Sequence, residues 1–186
     1  MDNNLKIINY LGKHPNQSFT LNELSKLIKI PYATFYRTIS KMKDLTKIKI
    51  IGQAKIVSIN AENPLIKSYL TISSYEEKKD FLKKNPLINK ISSELNSLDI
   101  VLLFGSYAKG HTRDDSDIDL LVINKIGDRS INFSKYELLF KKKINPIFIT
   151  KSEFVKMLKD SEENVGKQAL KDHIILNNPE SFWRLF

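Results

Sequence analysis

Two short apolar runs, Ile100-Val101-Leu102-Leu103-Phe104 and Leu120-Leu121-Val122-Ile123, constrain this chain more than anything else in it. Runs this brief and this continuous read as strands buried on both faces. The first ends in Gly105-Ser106. The second opens with Asp117-Ile118-Asp119, and Tyr107-Ala108-Lys109-Gly110 followed by a polar loop over residues 111–116 separates the two. Successive side chains of a strand alternate faces, so Asp117 and Asp119 point one way while Ile118 and Leu120 point the other.

Two carboxylates on one face make a hard oxygen site. Mg2+ favours such ligands and completes its shell with water and substrate phosphates, and Mn2+ suits the same donors. A nucleoside triphosphate would supply those phosphates. Gly105 lets backbone approach a ligand closely, while the Ser106 hydroxyl and the amides of a following helix start can hydrogen-bond phosphate oxygens. Lys109 and Arg113 add positive charge nearby. The bland alternative makes Asp117 and Asp119 solvated strand-edge acids and Gly105 a turn residue; the joined pattern favours the site. With no cysteine, and with His14, His111 and His173 scattered, disulfides, thiolate zinc and a catalytic thiol are excluded. His111 reads as a surface loop residue, because nothing in sequence pairs it with an orienting group. Phe182, Trp183, Leu185 and Phe186 read as packing.

The segment FGSYAKGHTRDDSDIDLLVI resembles the signature of the minimal nucleotidyltransferases of the DNA polymerase β superfamily, with ten residues between Gly-Ser and Asp-x-Asp. The resemblance spans about residues 87–186. It implies an α+β fold with a mixed sheet flanked by helices, and two divalent cations on catalytic Asp117 and Asp119. It also implies in-line transfer of a nucleoside monophosphate from a triphosphate to an acceptor hydroxyl. The family places a third carboxylate on a following strand. That strand reads as Ile144-Asn145-Pro146-Ile147-Phe148-Ile149, where the polar residue at the corresponding place is Asn145. An amide can ligate a metal through oxygen but cannot act as a base; Asp114, Asp115 and Asp128 are the other carboxylates to consider. The tail, INPIFITKSEFVKMLKD through HIILNNPESFWRLF, is similar to archaeal winged-helix nucleotidyltransferase proteins.

The net charge of +9 is unevenly spread. Residues 1–60 carry ten Lys/Arg against three acids, whereas residues 85–186 balance fifteen against fourteen. A basic segment attached to a neutral one points to a polyanion as partner of the first. Leu5, Ile7, Ile8 and Leu11 have helical spacing, ended by Gly12 and Pro15. Thr20 and Glu23 form a capping box with Phe19 and Leu24 at the staple positions, opening a second helix whose stripe is Leu24, Leu27 and Ile28. A third helix over about residues 31–43 buries Phe35, Ile39 and Met42 and turns a polar, basic face outward. Residues 47–51 and 55–59 around Gly52-Gln53 read as a hairpin.

The segment LNELSKLIKIPYATFYRTISKM is similar to the helix-turn-helix of winged-helix regulators. It implies DNA binding through residues 1–60, with Thr34, Tyr36 and Arg37 nearest base edges and Lys41, Lys43, Lys49 and Lys55 on phosphates. The same fold could instead dimerise or dock a protein. The resulting division is a winged helix at 1–62, a helical linker at 63–86 that could serve as a homodimer seam, and a nucleotidyltransferase domain at 87–186 with a helix from Leu87 to Leu98. No apolar run is long enough for a membrane span and no signal-peptide core precedes the first helix, so the expectation is a cytoplasmic protein with no membrane partner. Three functions fit: a transferase coupled to a DNA-binding module, a regulator whose transferase-like domain senses a nucleotide without turnover, or an antitoxin-type enzyme that modifies a partner toxin protein.

Overall fold

The computed structural model describes residues 1–186. The chain divides into two compact units, Met1–Glu76 and Glu77–Phe186.

The first unit opens with α1 (Asn3–Lys13), whose N-cap Asp2 accepts a hydrogen bond from the Leu5 amide at 2.9 Å. Gly12 does not stop this helix; it is buried inside it, and His14 is the C-cap. β1 (Phe19–Thr20) leads directly into α2 (Leu21–Leu27), where the capping box of Thr20 and Glu23 is present. The buried stripe of α2 is Leu21, Leu24 and Ser25, at the i, i+3, i+4 spacing of one helix face. Leu27 falls out of that phase and lies exposed, contrary to the expected stripe.

α3 (Tyr32–Ser40) is shorter than residues 31–43: Pro31 is its N-cap and Lys41 its C-cap, so Lys43 stands beyond it. Met42 lies just beyond the helix and is buried from the following turn. β2 (Thr46–Ile51) and β3 (Ala54–Ile59) form the hairpin, turning at Gly52 with φ +57. β1 joins its other edge, giving an antiparallel sheet in the order β1-β3-β2. Ile7, Ile8, Leu11, Leu24, Phe35, Ile39 and Val57 are fully excluded from water. Each such side chain contributes roughly 1.5–3 kcal/mol. α4 (Ile66–Leu82) follows, with Ser73 donating to Asn9 and to the Leu70 carbonyl.

The second unit contains α5 (Pro86–Ser93), β4 (Ile100–Phe104), α6 (Gly105–Lys109), β5 (Ile118–Asn124) and α7 (Ser134–Phe140). They are followed by β6 (Ile144–Thr150), α8 (Lys151–Lys159), α9 (Val165–Lys171), β7 (Ile174–Asn177) and α10 (Pro179–Trp183). α5 ends at Ser93 rather than near Leu98, which is almost fully exposed. The sheet order is β6-β5-β4-β7, with β6 parallel to β5 and the other pairs antiparallel. This is an α+β unit with a mixed sheet; the parallel pair needs a crossover, supplied by α7.

The two apolar runs are buried on both sides. Val101, Leu103, Ile118, Leu120 and Val122 pack with Ile88, Ile91, Phe133 and Tyr136. Leu102, Leu121 and Ile123, of opposite parity, are equally buried, and α8, α9 and α10 lie against β4 and β5. Phe182 and Trp183 are buried against each other and His173 and serve as packing, whereas Phe186 is exposed at the chain's last position. No helix is long and apolar enough to cross a membrane.

Candidate active site

Asp119 is the second residue of β5 and Asp117 immediately precedes that strand, so the start of one buried strand presents both carboxylates. The Ile118 amide between them donates to the Lys143 carbonyl at 2.9 Å, which joins this edge to the chain entering β6. Register then brings Phe104 opposite Asp119 on one side and Asn145 opposite Asp119 on the other. Asn145 occupies the place that the family resemblance gives to a third carboxylate. Its Nδ2 donates to Asp117 Oδ2 at 3.1 Å and to Asp119 Oδ1 at 3.3 Å. One amide therefore bridges the two carboxylates.

Gly105 follows β4 at the first position of α6, with φ +70, a conformation that a side chain disfavours. A Cβ there would lie 2.2 Å from Asp119 Oδ2. Backbone and carboxylate are thus closer than any other residue type permits, and this is the physical reason for glycine at this point. α6 is anchored by Tyr107 and Ala108 against the core, and burial raises the Tyr107 phenol above its ordinary range. Gly110, at φ +69, closes the helix.

A cavity of about 340 Å³ opens at this place, lined by Gly105, Lys109 and Asp119 together with Phe104 and Ile147 of the sheet and Val165 and Gln168 of α9. Lys109 is half exposed and reaches Asp172 at 3.7 Å, a weak pair that an anionic ligand can replace. Ser106 lies on α6 without lining the cavity, its carbonyl accepting from the His111 amide. Arg113 is exposed on the loop, and its amide donates to Ser116 Oγ at 2.8 Å; its side chain is not part of the cavity lining.

The alternative carboxylates fare differently. Asp128 follows the C-terminal end of β5, the end opposite Asp117, where its carbonyl accepts from Asn124. Asp114 and Asp115 are exposed, and Asp114 offers its carbonyl to Lys142. His111 is exposed. No cluster of three or more His, Asp or Glu forms, so the candidate metal ligands are the aspartate pair and Asn145.

Sequence reasoning missed Lys143, whose Nζ lies 3.6 Å from Asp117 Oδ2, as well as Gln168 and the whole of β7. The run of lysines at 141–143 just ahead of Asn145 was a visible signal for the first; nothing local marks the others.

In the first unit, Tyr36, Arg37, Lys41, Lys43, Lys49 and Lys55 are exposed, while Thr34 is half-buried with its carbonyl accepting from Thr38. Lys55 on β3 places its ammonium 5.7 Å from the Tyr36 ring centroid on α3. Tyr32, not singled out in sequence, is also exposed and its ring sits 6.2 Å from that of Tyr36.

A glycine pressed on an aspartate, a second aspartate two residues earlier in the chain than the first and a neighbouring cavity come together at one end of the sheet. Residues 86–181, more than half of the chain, match the family described as "Polymerase beta, Nucleotidyltransferase", and the chain belongs to that family. No characterised protein and no solved structure matches the chain at a significant level.

Proposed function

We propose that the second unit binds a nucleoside triphosphate with Mg2+ or Mn2+ and transfers its nucleoside monophosphate to an acceptor hydroxyl. The observation that carries this reading is the placement of Asp119 beneath Gly105 and beside the cavity, with Asp117 joined to it through the shared Asn145 amide. The donor set fits a hard divalent cation: two carboxylates share one bridging group, and Asn145 can turn its amide to offer Oδ1 in place of Nδ2. When bound, such a cation supplies Lewis-acid polarisation of a phosphoryl oxygen and charge neutralisation.

The chain's own residues then have distinct tasks. Asp117 and Asp119 hold the charge site at the edge of a rigid sheet. Gly105 admits the phosphates, and Lys109 exchanges Asp172 for them. The acceptor oxygen bonds to the α-phosphorus, the bond between α-phosphorus and bridging oxygen breaks, and pyrophosphate leaves. The acceptor proton passes to water, because Asn145 cannot take it. That last point favours a second reading, in which the unit binds triphosphate and turns it over little or not at all, acting as a sensor.

We further propose that the first unit is a winged helix that binds duplex DNA through Tyr36, Arg37 and Lys41 of the α3 region and Lys49 and Lys55 of the hairpin, with Lys43 and the half-buried Thr34 alongside. Its order of three helices and a hairpin, and its excess of basic residues, support this. An acceptor that is a protein, including a toxin encoded beside it, stays within the first reading.

The test is to titrate the full-length protein with each triphosphate, with and without Mg2+, and to follow pyrophosphate release. Asp117→Ala and Asp119→Ala are expected each to abolish the Mg2+-dependent part of triphosphate binding while the melting transition persists. Unchanged affinity in both variants would remove the site.

A further inference from the structure

The cavity beside Asp119 contains one polar side chain that the phosphate chemistry does not use. Asp119 is committed to the charged end and Lys109 to phosphate oxygens, which leaves Phe104, Ile147 and Val165 as apolar surface and Gln168 as a neutral amide. We infer that Gln168 reads the base of the bound nucleotide and that the base it selects is adenine. This rests on the triphosphate-site reading above.

The chemistry of the bases supports the choice. An amide offers one donor and one acceptor side by side, which matches the N6 amino group and ring nitrogen on an adenine edge. Guanine finds its bidentate partner in a cation and cytosine in a carboxylate, and the cation and carboxylate of this cavity are already engaged. Pyrimidine or purine can rest on Phe104, Ile147 and Val165, so apolar contact supplies affinity and the amide supplies discrimination.

A specificity group has to be held still, and α9 is held closely. Asn164 caps it by accepting from the Lys167 amide at 3.1 Å and donates its own Nδ2 to the Met157 carbonyl of α8 at 2.8 Å. Gly166 lies so near α8 that a Cβ would stand 2.8 Å from Met157 Cβ. Two residues further on, the exposed Gln168 projects from a helix docked on its neighbour, so its backbone is fixed at the cavity while its amide is open to a ligand.

The experiment measures the affinity of the full-length protein for ATP, GTP, CTP and UTP in Mg2+, by competition against one fluorescent triphosphate analogue. Wild type is expected to prefer ATP by about fivefold to a hundredfold, the discrimination of one bidentate pair. Gln168→Leu should bring the four affinities within about threefold of one another, and Gln168→Glu, which keeps the size but loses the donor, should also erode the preference. An ATP preference that survives in Gln168→Leu, equal affinities in wild type, or a preference for another base would overturn the inference. Loss of all Mg2+-dependent binding in wild type would instead strike the triphosphate site itself, so the two failures are separable.

Discussion

The two units expose their functional candidates in opposite ways. In the second, Asp117, Asp119, Gly105 and Asn145 are set by strand register and constrained by one another within a few ångströms. In the first, Arg37, Lys41 and Lys49 point outward and nothing inside the protein fixes what they meet. A site of the former kind is written in backbone geometry, so a single atom added or exchanged should change it sharply. A surface of the latter kind is written in the summed charge of many side chains, so each substitution should matter little.

Asn145 gives the largest expected effect on this contrast. Because its amide lies opposite Asp119 and bridges both aspartates, Asn145→Asp places a third carboxylate at the same point, able to ligate and to accept the acceptor proton. A general base contributes about 10²- to 10⁴-fold, so pyrophosphate release with Mg2+ should rise by a visible part of that range. Wild type that turns over briskly, with Asn145→Asp no faster, would show that another group takes the proton.

Gly105→Ala probes the same register from the other side. It forces a side chain to φ +70 and drives a Cβ into Asp119, so the β4 to α6 turn must shift. The expected cost is about 1–3 kcal/mol of stability, together with loss of Mg2+-dependent triphosphate binding. Gly110→Ala is the control: it is also at positive φ but has open space around it, and it should lower stability while sparing the ligand. Equal effects of both on binding would mean that the close approach to Asp119 does not matter.

How much of this could be read from sequence follows from the same distinction. The apolar runs at 100–104 and 120–123, the shared face of the aspartates and the place of Asn145 were legible, because strand parity and flanking turns are local properties. Gln168 and β7 were not, because α9 reaches the cavity only through tertiary packing on α8, and Ile174–Asn177 is four residues without a periodic signal of its own. In the first unit the capping box announces α2, yet the spacing of Leu24, Leu27 and Ile28 suggests a buried stripe from which Leu27 in fact departs. Seven residues make too short a helix for phase to be certain, and Leu21 rather than Leu27 completes its stripe.

Each unit has one capping box, and they differ in closeness. Glu153 Oε2 accepts from the Thr150 amide at 2.7 Å, whereas Glu23 Oε2 accepts from the Thr20 amide at 3.3 Å. Hydrogen bonds from the Thr150 amide and hydroxyl hold the Glu153 carboxyl below its usual range. Thr150→Ala should cost about 0.5–2 kcal/mol. The sign of the pH effect follows from the lowered value: the unfolded chain binds the proton more readily, so the contribution of Glu153 is complete above its unfolded value of 4.5 and fades as pH falls below it. Fluorescence of Trp183, the single tryptophan and buried in the second unit, reads the transition. The gap in melting temperature between wild type and Glu153→Gln should narrow from pH 6 to pH 3; a constant gap would show that ionisation of this box is irrelevant.

The smallest effect belongs to the open surface, and it needs a control drawn from that surface. Lys41 is exposed and unpaired by any acid, whereas Lys47, on the same unit, is held 2.7 Å from Glu62 and draws that carboxyl below its ordinary range. If the first unit binds duplex DNA through phosphates, Lys41→Ala should lower the slope of log affinity against log salt by about one, for one counterion no longer released. Lys47→Ala should change the slope less, since that ammonium already has an anion beside it. Arg37→Ala should alter preference among sequences more than it alters the slope, because a guanidinium reads base edges as well as phosphates. Equal slopes for Lys41→Ala and Lys47→Ala would make the response one of overall charge rather than of a built interface. Absence of salt-dependent retention of any duplex by the full-length protein would leave the basic surface without nucleic acid as its partner, and the contrast between the units would then be between a transferase site and a docking surface for protein.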